Sequence, residues 1–149
     1  MATEQDLQPA AWTTLQAGGV AAPTGTFSHG SEVPVSESLT LVYTSGITSR
    51  DEDGQVVGEG DIQAQTRQAL TKLQAVLASA GCTIGDVLKV TVFVRDIDEF
   101  DTIHRVRREF FKPPYPASTM VQIERLVDPR SLIEIEAVAA RRTSARAEA

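Results

Sequence analysis

The chain has 149 residues, 42% of them hydrophobic, which suits one domain around a single core. It carries 14 basic against 20 acidic side chains, a net charge of −6, and no Lys/Arg run in its periodic part, which disfavours nucleic-acid binding through phosphate neutralisation. Cys82 is the single cysteine, so an intrachain disulfide is excluded; with His29 and His104 as the only histidines there is no zinc-type ligand set, and no metal or other cofactor is expected.

Residues 1 to about 10 and the stretch RRTSARAEA from 141 to 149 are small, polar and aperiodic, and read as frayed ends of a single domain ordered over about 11 to 140. The Arg141, Arg142 and Arg146 trio then belongs to a solvated tail. The segment SLTLVYTSGIT (38 to 48) is β-branched and aromatic, and the Gly- and Asp-dense RDEDGQVVGEGD behind it ends that strand in a turn. From Asp61 the period changes. Ile62, Ala69, Leu70, Leu73, Val76, Leu77 and Ala80 recur at helical steps, with Asp61 as N-cap and Gly81 as the left-handed stop.

DVLKVTVFVRD (86 to 96) alternates, with Leu88, Val90, Val92 and Val94 on one side and Val87, Lys89, Thr91, Phe93 and Arg95 on the other. Asp98 is placed to cap a second helix whose buried stripe is Phe100, Ile103, Val106 or Arg107, and Phe110, ending before Pro113 and Pro114. PPYPASTMVQIERLVDPRSLIEIEAVA (113 to 139) reads as two strands joined by a Pro-Arg turn. Ser118 stands at the mouth of the first and Glu134 early in the second. The order is strands, helix, strand, helix, two strands, which predicts an α+β layer with two helices on one face of a mixed sheet. No run of about 18 apolar residues and no charged-then-apolar leader occurs, so a soluble cytoplasmic protein without a membrane span or secretory signal is expected.

If the helices cover Val121, Ile123, Ile133 and Ile135, then Met120, Gln122, Glu124, Glu134 and Glu136 share the other face with Lys89, Thr91, Phe93 and Arg95. A face mixing apolar groups with both charge signs suits a second subunit packed on it, so a homo-oligomer is expected.

Taken in order, SGIT, AQTRQALTKLQAVLASAG, DVLKVTVFVRDIDEF, FF, YPAST and LIEIEAVAA resemble the RidA/YjgF family of reactive enamine/imine deaminases, once labelled endoribonuclease L-PSP, over roughly residues 22 to 140. The resemblance implies a chorismate-mutase-like fold in a homotrimer, with small-molecule clefts between adjacent subunits. In deaminating members an arginine directly after the Pro-Ala pair grips the substrate carboxylate; here Pro116-Ala117 is followed by Ser118. Gly25-Thr26-Phe27-Ser28 stands for the family's Gly-Pro-Tyr-Ser, Ser45-Gly46-Ile47 for Ser-Gly-Gln, His104 for an asparagine, and Met120 for a small residue or cysteine. Glu134 matches the glutamate held to position the attacking water. What this implies is hydrolysis of a reactive imine or enamine to a carbonyl compound and ammonia, on a bulkier or less anionic substrate than 2-aminoacrylate. The alternatives are a binding trimer without turnover and a pathway-specific enzyme similar to 2-aminomuconate deaminase.

The candidate catalytic residues are Glu134 and His104. Burial between Ile133 and Ile135 disfavours the charged carboxylate and brings it nearer acid/base work at neutral pH; the competing reading is an ion pair with Lys89 or Arg95. His104 has the right unperturbed pKa, about 6.5, for proton transfer, or is a plain helix-edge histidine. Candidate substrate-binding residues are Phe27, Ser45, Gly46, Ile47, Ser118, Thr119 and Met120. Ser45 with Gly46 suggests close approach of the backbone to a ligand, and Ser118 and Thr119 either bind a ligand oxygen or a water or begin a strand. His29 beside Gly30 reads as a loop residue. Cys82 lacks a neighbouring base, and no nucleophile elbow or phosphate loop occurs.

Overall fold

The structure, a computed structural model, describes residues 11–143. Six strands form one mixed sheet in the order β1-β2-β3-β6-β4-β5: β1 Thr13–Leu15, β2 Gly30–Ser36, β3 Leu39–Thr44, β4 Val87–Val94, β5 Ala117–Gln122 and β6 Ile133–Arg142. Two helices, α1 Ile62–Ser79 and α2 Phe100–Phe110, pack on one face. This is the α+β architecture the residue pattern calls for. All neighbouring strands are antiparallel except β4 and β5, which run parallel with α2 as the crossover such a pair requires.

Helix α1 forms where the apolar period says. The Asp61 carboxylate accepts from Ala64 N at 3.0 Å, and at the other end Gly81 at φ +70° closes the last turn while Cys82 N reaches back to Leu77 O. Its face of Leu70, Leu73 and Leu77 lies over β6, whose Ile133, Ile135, Ala137 and Ala139 alternate inward beside Val90, Val92 and Val94 of β4. Ile103 and Val106 of α2 complete the core. Fully burying one such aliphatic side chain contributes about 1.5–3 kcal/mol, so this two-layer contact is what holds the helices on the sheet.

Several sequence expectations need correction. Val87 is buried and Leu88 is 52% exposed, the reverse of strict alternation, because the register with β6 slips between Val87 and Lys89. In β5, Met120 lies opposite Val92 and packs against the core, while Val121 is 40% exposed on the open side. The expected parity of that strand is therefore inverted. Hydrophobicity alone points its apolar residues inward, yet β5 is an edge strand whose facing is set by parallel pairing with β4. Nor do β5 and β6 form a hairpin, since β4 lies between them.

Asp98 does not cap α2. Asp96 caps a short 3-10 turn, Ile97–Glu99, that leads into the helix. Phe100 is 45% exposed, and Arg107 rather than Phe100 completes the buried stripe. Strand β6 runs to Arg142, so Arg141 is no tail residue: it pairs with Glu32 at 3.1 Å. Arg146 and the expected N-terminal fraying at 1–10 lie outside the described residues.

Candidate functional site

Glu134 sits on the open face of the sheet, opposite Phe93 of β4 and beside Gly46. Gly46 follows the end of β3, where Ile47 is tied to Ile135 by reciprocal backbone hydrogen bonds of 2.8 and 3.0 Å. A Cβ at Gly46 would lie 2.6 Å from Glu134 Cδ. The sequence reading expects this glycine to approach a ligand; the group that the structure places against it is the Glu134 carboxylate. Neither expected cation neutralises that carboxylate: Lys89 Nζ donates to the Thr119 hydroxyl, and Arg95 Nη1 to Pro129 O at 3.2 Å. Burial, and then the nearby Glu136, hold the Glu134 carboxyl above the usual carboxylate range.

The carboxylate lines a cleft of about 370 Å³ with Phe27, Ser45, Arg50, Asp128 and Ser131. Asp128 is tuned the opposite way. Hydrogen bonds from Arg130, with Nη2 at 2.8 Å, push its carboxyl down to about 2, so it stays ionised, whereas the Glu134 carboxyl is raised. Ser131 Oγ is buried without a hydrogen-bond partner. The wall is fixed from beneath by the fully buried Gln65, whose Nε2 donates to Gly58 O and Arg130 O and whose Oε1 accepts from Leu132 N at 2.8 Å.

A second cavity, of about 360 Å³, opens between α2 and the start of β5 and is lined by His104, Arg107, Arg108, Phe111, Tyr115 and Ser118. Ser118 lies opposite Val90 on the helix side of the sheet, so the serine and Glu134 occupy different faces of one subunit. His104 Nδ1 is 3.2 Å from Phe100 O, its ring stacked on Phe100 with centroids 3.9 Å apart. Since a carbonyl only accepts, Nδ1 carries the proton and Nε2 is left as an acceptor. Burial and the Arg107 charge lower the His104 pKa, which keeps the ring neutral near pH 7.

The sequence-derived site residues thus divide. Phe27, Ser45, Gly46 and Glu134 meet in the first cleft, His104 and Ser118 in the second. Ser45 Oγ is engaged, donating to Ser28 O at 2.6 Å, and Ile47 is buried in a smaller recess behind the first cleft. Thr119 faces the open side with Lys89, and Met120 is part of the core packing; neither lines the cavities that hold Glu134 or Ser118. His29 has a structural task, accepting from Ala17 N and bonding Ala21 O, each at 2.9 Å. Among the described residues no group of three or more His, Cys, Asp or Glu side chains is arranged to hold a metal. The residues that sequence reasoning missed are Arg50, Asp128 and Ser131, which bore no motif, and Arg107, whose signal was an arginine standing in an apolar stripe.

The chain is thus a two-layer α+β domain in which a shielded carboxylate, with no ion-pair partner among the described residues, lines a cleft. The family model described as Endoribonuclease L-PSP matches residues 20–141, and the chain belongs to this RidA/YjgF family. It is 40% identical over 107 residues to the 3-aminoacrylate deaminase RutC of Acinetobacter baylyi, covering 72% of this chain and 84% of the relative. Against the 2-iminobutanoate/2-iminopropanoate deaminase of Salmonella typhimurium the identity is 39%, over 69% of this chain and 81% of that one. The structure of Escherichia coli TdcF with bound serine superposes with a TM-score of 0.75 at 32% identity, over 87% of this chain and 99% of the other.

Proposed function

We propose that the protein hydrolyses a reactive imine or enamine to a carbonyl compound and ammonia. The observation that carries this is Glu134: a half-buried carboxylate with a raised pKa, no ion-pair partner among the described residues, and a glycine beside it that leaves it room. The chemistry is elementary. An enamine first tautomerises to the imine, gaining a proton at carbon and losing one from nitrogen. Glu134 then accepts a proton from water as the oxygen attacks the C=N carbon and returns it to the nitrogen, and transfer of the carbinolamine hydroxyl proton to the nitrogen as C=O forms expels ammonia. Similarity to deaminases at 39–40% identity supports the reading.

We further propose a homotrimer with the cleft completed between subunits, a reading that the same geometry supports. His104 and Ser118 lie on the opposite side of the sheet from Glu134, so a substrate touching both needs two chains. The open face also carries the partly exposed Tyr43, Val121 and Phe93, apolar surface that a neighbouring subunit would cover. A substrate larger than 2-aminoacrylate fits the serine at 118 and the apolar walls of Phe27, Phe111 and Tyr115. Net charge −6 argues against RNA as the ligand. No helix among the described residues is long and apolar enough to cross a membrane, and a cytoplasmic setting is proposed.

The test is release of ammonia and carbonyl product from 2-iminobutanoate and from bulkier imines generated in situ, with Glu134→Gln as control. Turnover that disappears in the variant is expected. Turnover unchanged in Glu134→Gln, or none by the native chain above that variant, would overturn the reading.

A further inference from the structure

Arg107 is 92% buried by its 8% exposure, on the face of α2 that otherwise carries Ile103 and Val106. Buried arginines ordinarily sit against a carboxylate, because an unpaired guanidinium in apolar surroundings loses its hydration for nothing. Among the described residues no carboxylate oxygen lies within ion-pair distance of it. Its Nη2 donates to Ser118 Oγ at 3.0 Å, its Cζ lies 5.8 Å from the centre of the Phe111 ring, and its Nη1 is buried with no hydrogen-bond partner among the described residues. Burial lowers its pKa, the direction that a missing counter-charge produces. The guanidinium lines the cavity of about 360 Å³ at α2 and β5, whose other walls, Phe111, Tyr115 and Pro116, are apolar or aromatic.

We infer that Arg107 is the carboxylate-binding residue of this cavity, and that the aromatic wall beside it receives a bulky apolar side chain of the same molecule. Ser118 is then a positioning residue: its hydroxyl holds one arm of the guanidinium and leaves the other, Nη1, for an anionic oxygen. A planar guanidinium suits a carboxylate, and a lysine reproduces the charge without the fork. Resting on the deaminase reading, the inference specifies its substrate class: an imino acid with a branched or aromatic side chain, anchored through its carboxylate. It also revises the expectation of a less anionic substrate, which considered Ser118 without the cation donating to it.

Binding, which needs no turnover, separates this idea from the deaminase reading. The dissociation constants of 2-oxo-3-phenylpropanoate and of its uncharged amide would be measured calorimetrically on the native chain and on Arg107→Met, Arg107→Lys and Arg107→Met/Ser118→Arg. The native protein should prefer the carboxylate by about 10- to 100-fold, the range for one charge-assisted contact. Arg107→Met should abolish the preference, Arg107→Lys keep part of it, and the double variant recover it. Equal binding of acid and amide to the native chain would overturn the assignment, as would an undiminished preference in a folded Arg107→Met. If Arg107→Met does not fold, Arg107→Lys decides: an undiminished preference there means that the fork plays no part. Carboxylate preference without imine turnover would sink the deaminase reading and leave the anchor standing; turnover dependent on Glu134 but indifferent to Arg107 would do the reverse.

Discussion

Gly46→Ala tests the Glu134 assignment without touching the carboxylate's chemistry. The backbone at Gly46 does not occupy the left-handed region, so alanine is conformationally acceptable and the added methyl acts by contact alone. It would meet Glu134 Cδ at 2.6 Å and Cγ at 3.0 Å, well inside van der Waals separation. The obstructed group is the end of a flexible side chain, so Glu134 should swing aside at a cost of about 0.5–1.5 kcal/mol for an off-rotamer torsion. At roughly 2–4 °C per kcal/mol for a chain of this size, Tm should fall by less than about 6 °C. Catalysis should suffer far more. A displacement of about 1 Å at a reacting group costs on the order of 100-fold, and loss of a general base about 10²–10⁴-fold. Steady-state kinetics on 2-iminobutanoate should therefore show kcat lowered about 100-fold in a well-folded Gly46→Ala, and Gly46→Ala/Glu134→Gln should be no worse than Glu134→Gln. A single variant within threefold of native, or two effects that multiply, would refute the reasoning.

The raised pKa of Glu134 has a thermodynamic sign. The folded state binds its proton more tightly than the unfolded state, so this group's contribution to stability falls as pH rises from the unfolded value of about 4.3 to the folded one. Glu134→Gln should be at least as stable as the native chain at pH 7.5 in urea melts, and native kcat/KM should rise with pH through an acid limb above the usual carboxylate range. Lys72 goes the other way: buried beside Arg50, it has its pKa pushed down to about 8. The unfolded state then holds the extra proton between about pH 8 and 10.5, and this contribution to stability rises with pH there; Lys72→Met should flatten that rise in the same melts. Gln65→Leu strands two carbonyls and one N–H at the wall of the Glu134 cleft. It should cost about 2–4 kcal/mol in denaturant unfolding and lower activity more than an exposed control, Gln74→Leu.

Helix α1 is legible residue by residue because one local rule, an apolar stripe between an Asp cap and a Gly stop, decides it. Strand β6 is legible for a similar reason: its alternation coincides with burial on both sides. Edge strand β5 is not, since its facing depends on which neighbour it joins and through what register. Glu134 and Gly46 can be singled out as unusual for their strands, but that they touch one another is a matter of the Ile47–Ile135 bridge, 88 positions apart in sequence. Arg107 shows the same limit. A cation in an apolar stripe invites attention, yet only the parallel placement of β5 beside β4 brings Ser118 under it.

The sheet that keeps Glu134 and Arg107 on its two sides also makes each chain an incomplete reagent. In the assembly proposed above, a chain lacking the carboxylate and a chain lacking the guanidinium are each impaired alone, and mixing them repairs what neither has. With equal amounts and random reassembly, about a quarter of the clefts would join an intact Glu134 to a neighbour's intact Arg107. Recovery of activity from two impaired variants, growing with time as subunits exchange, is the outcome that such an assembly predicts.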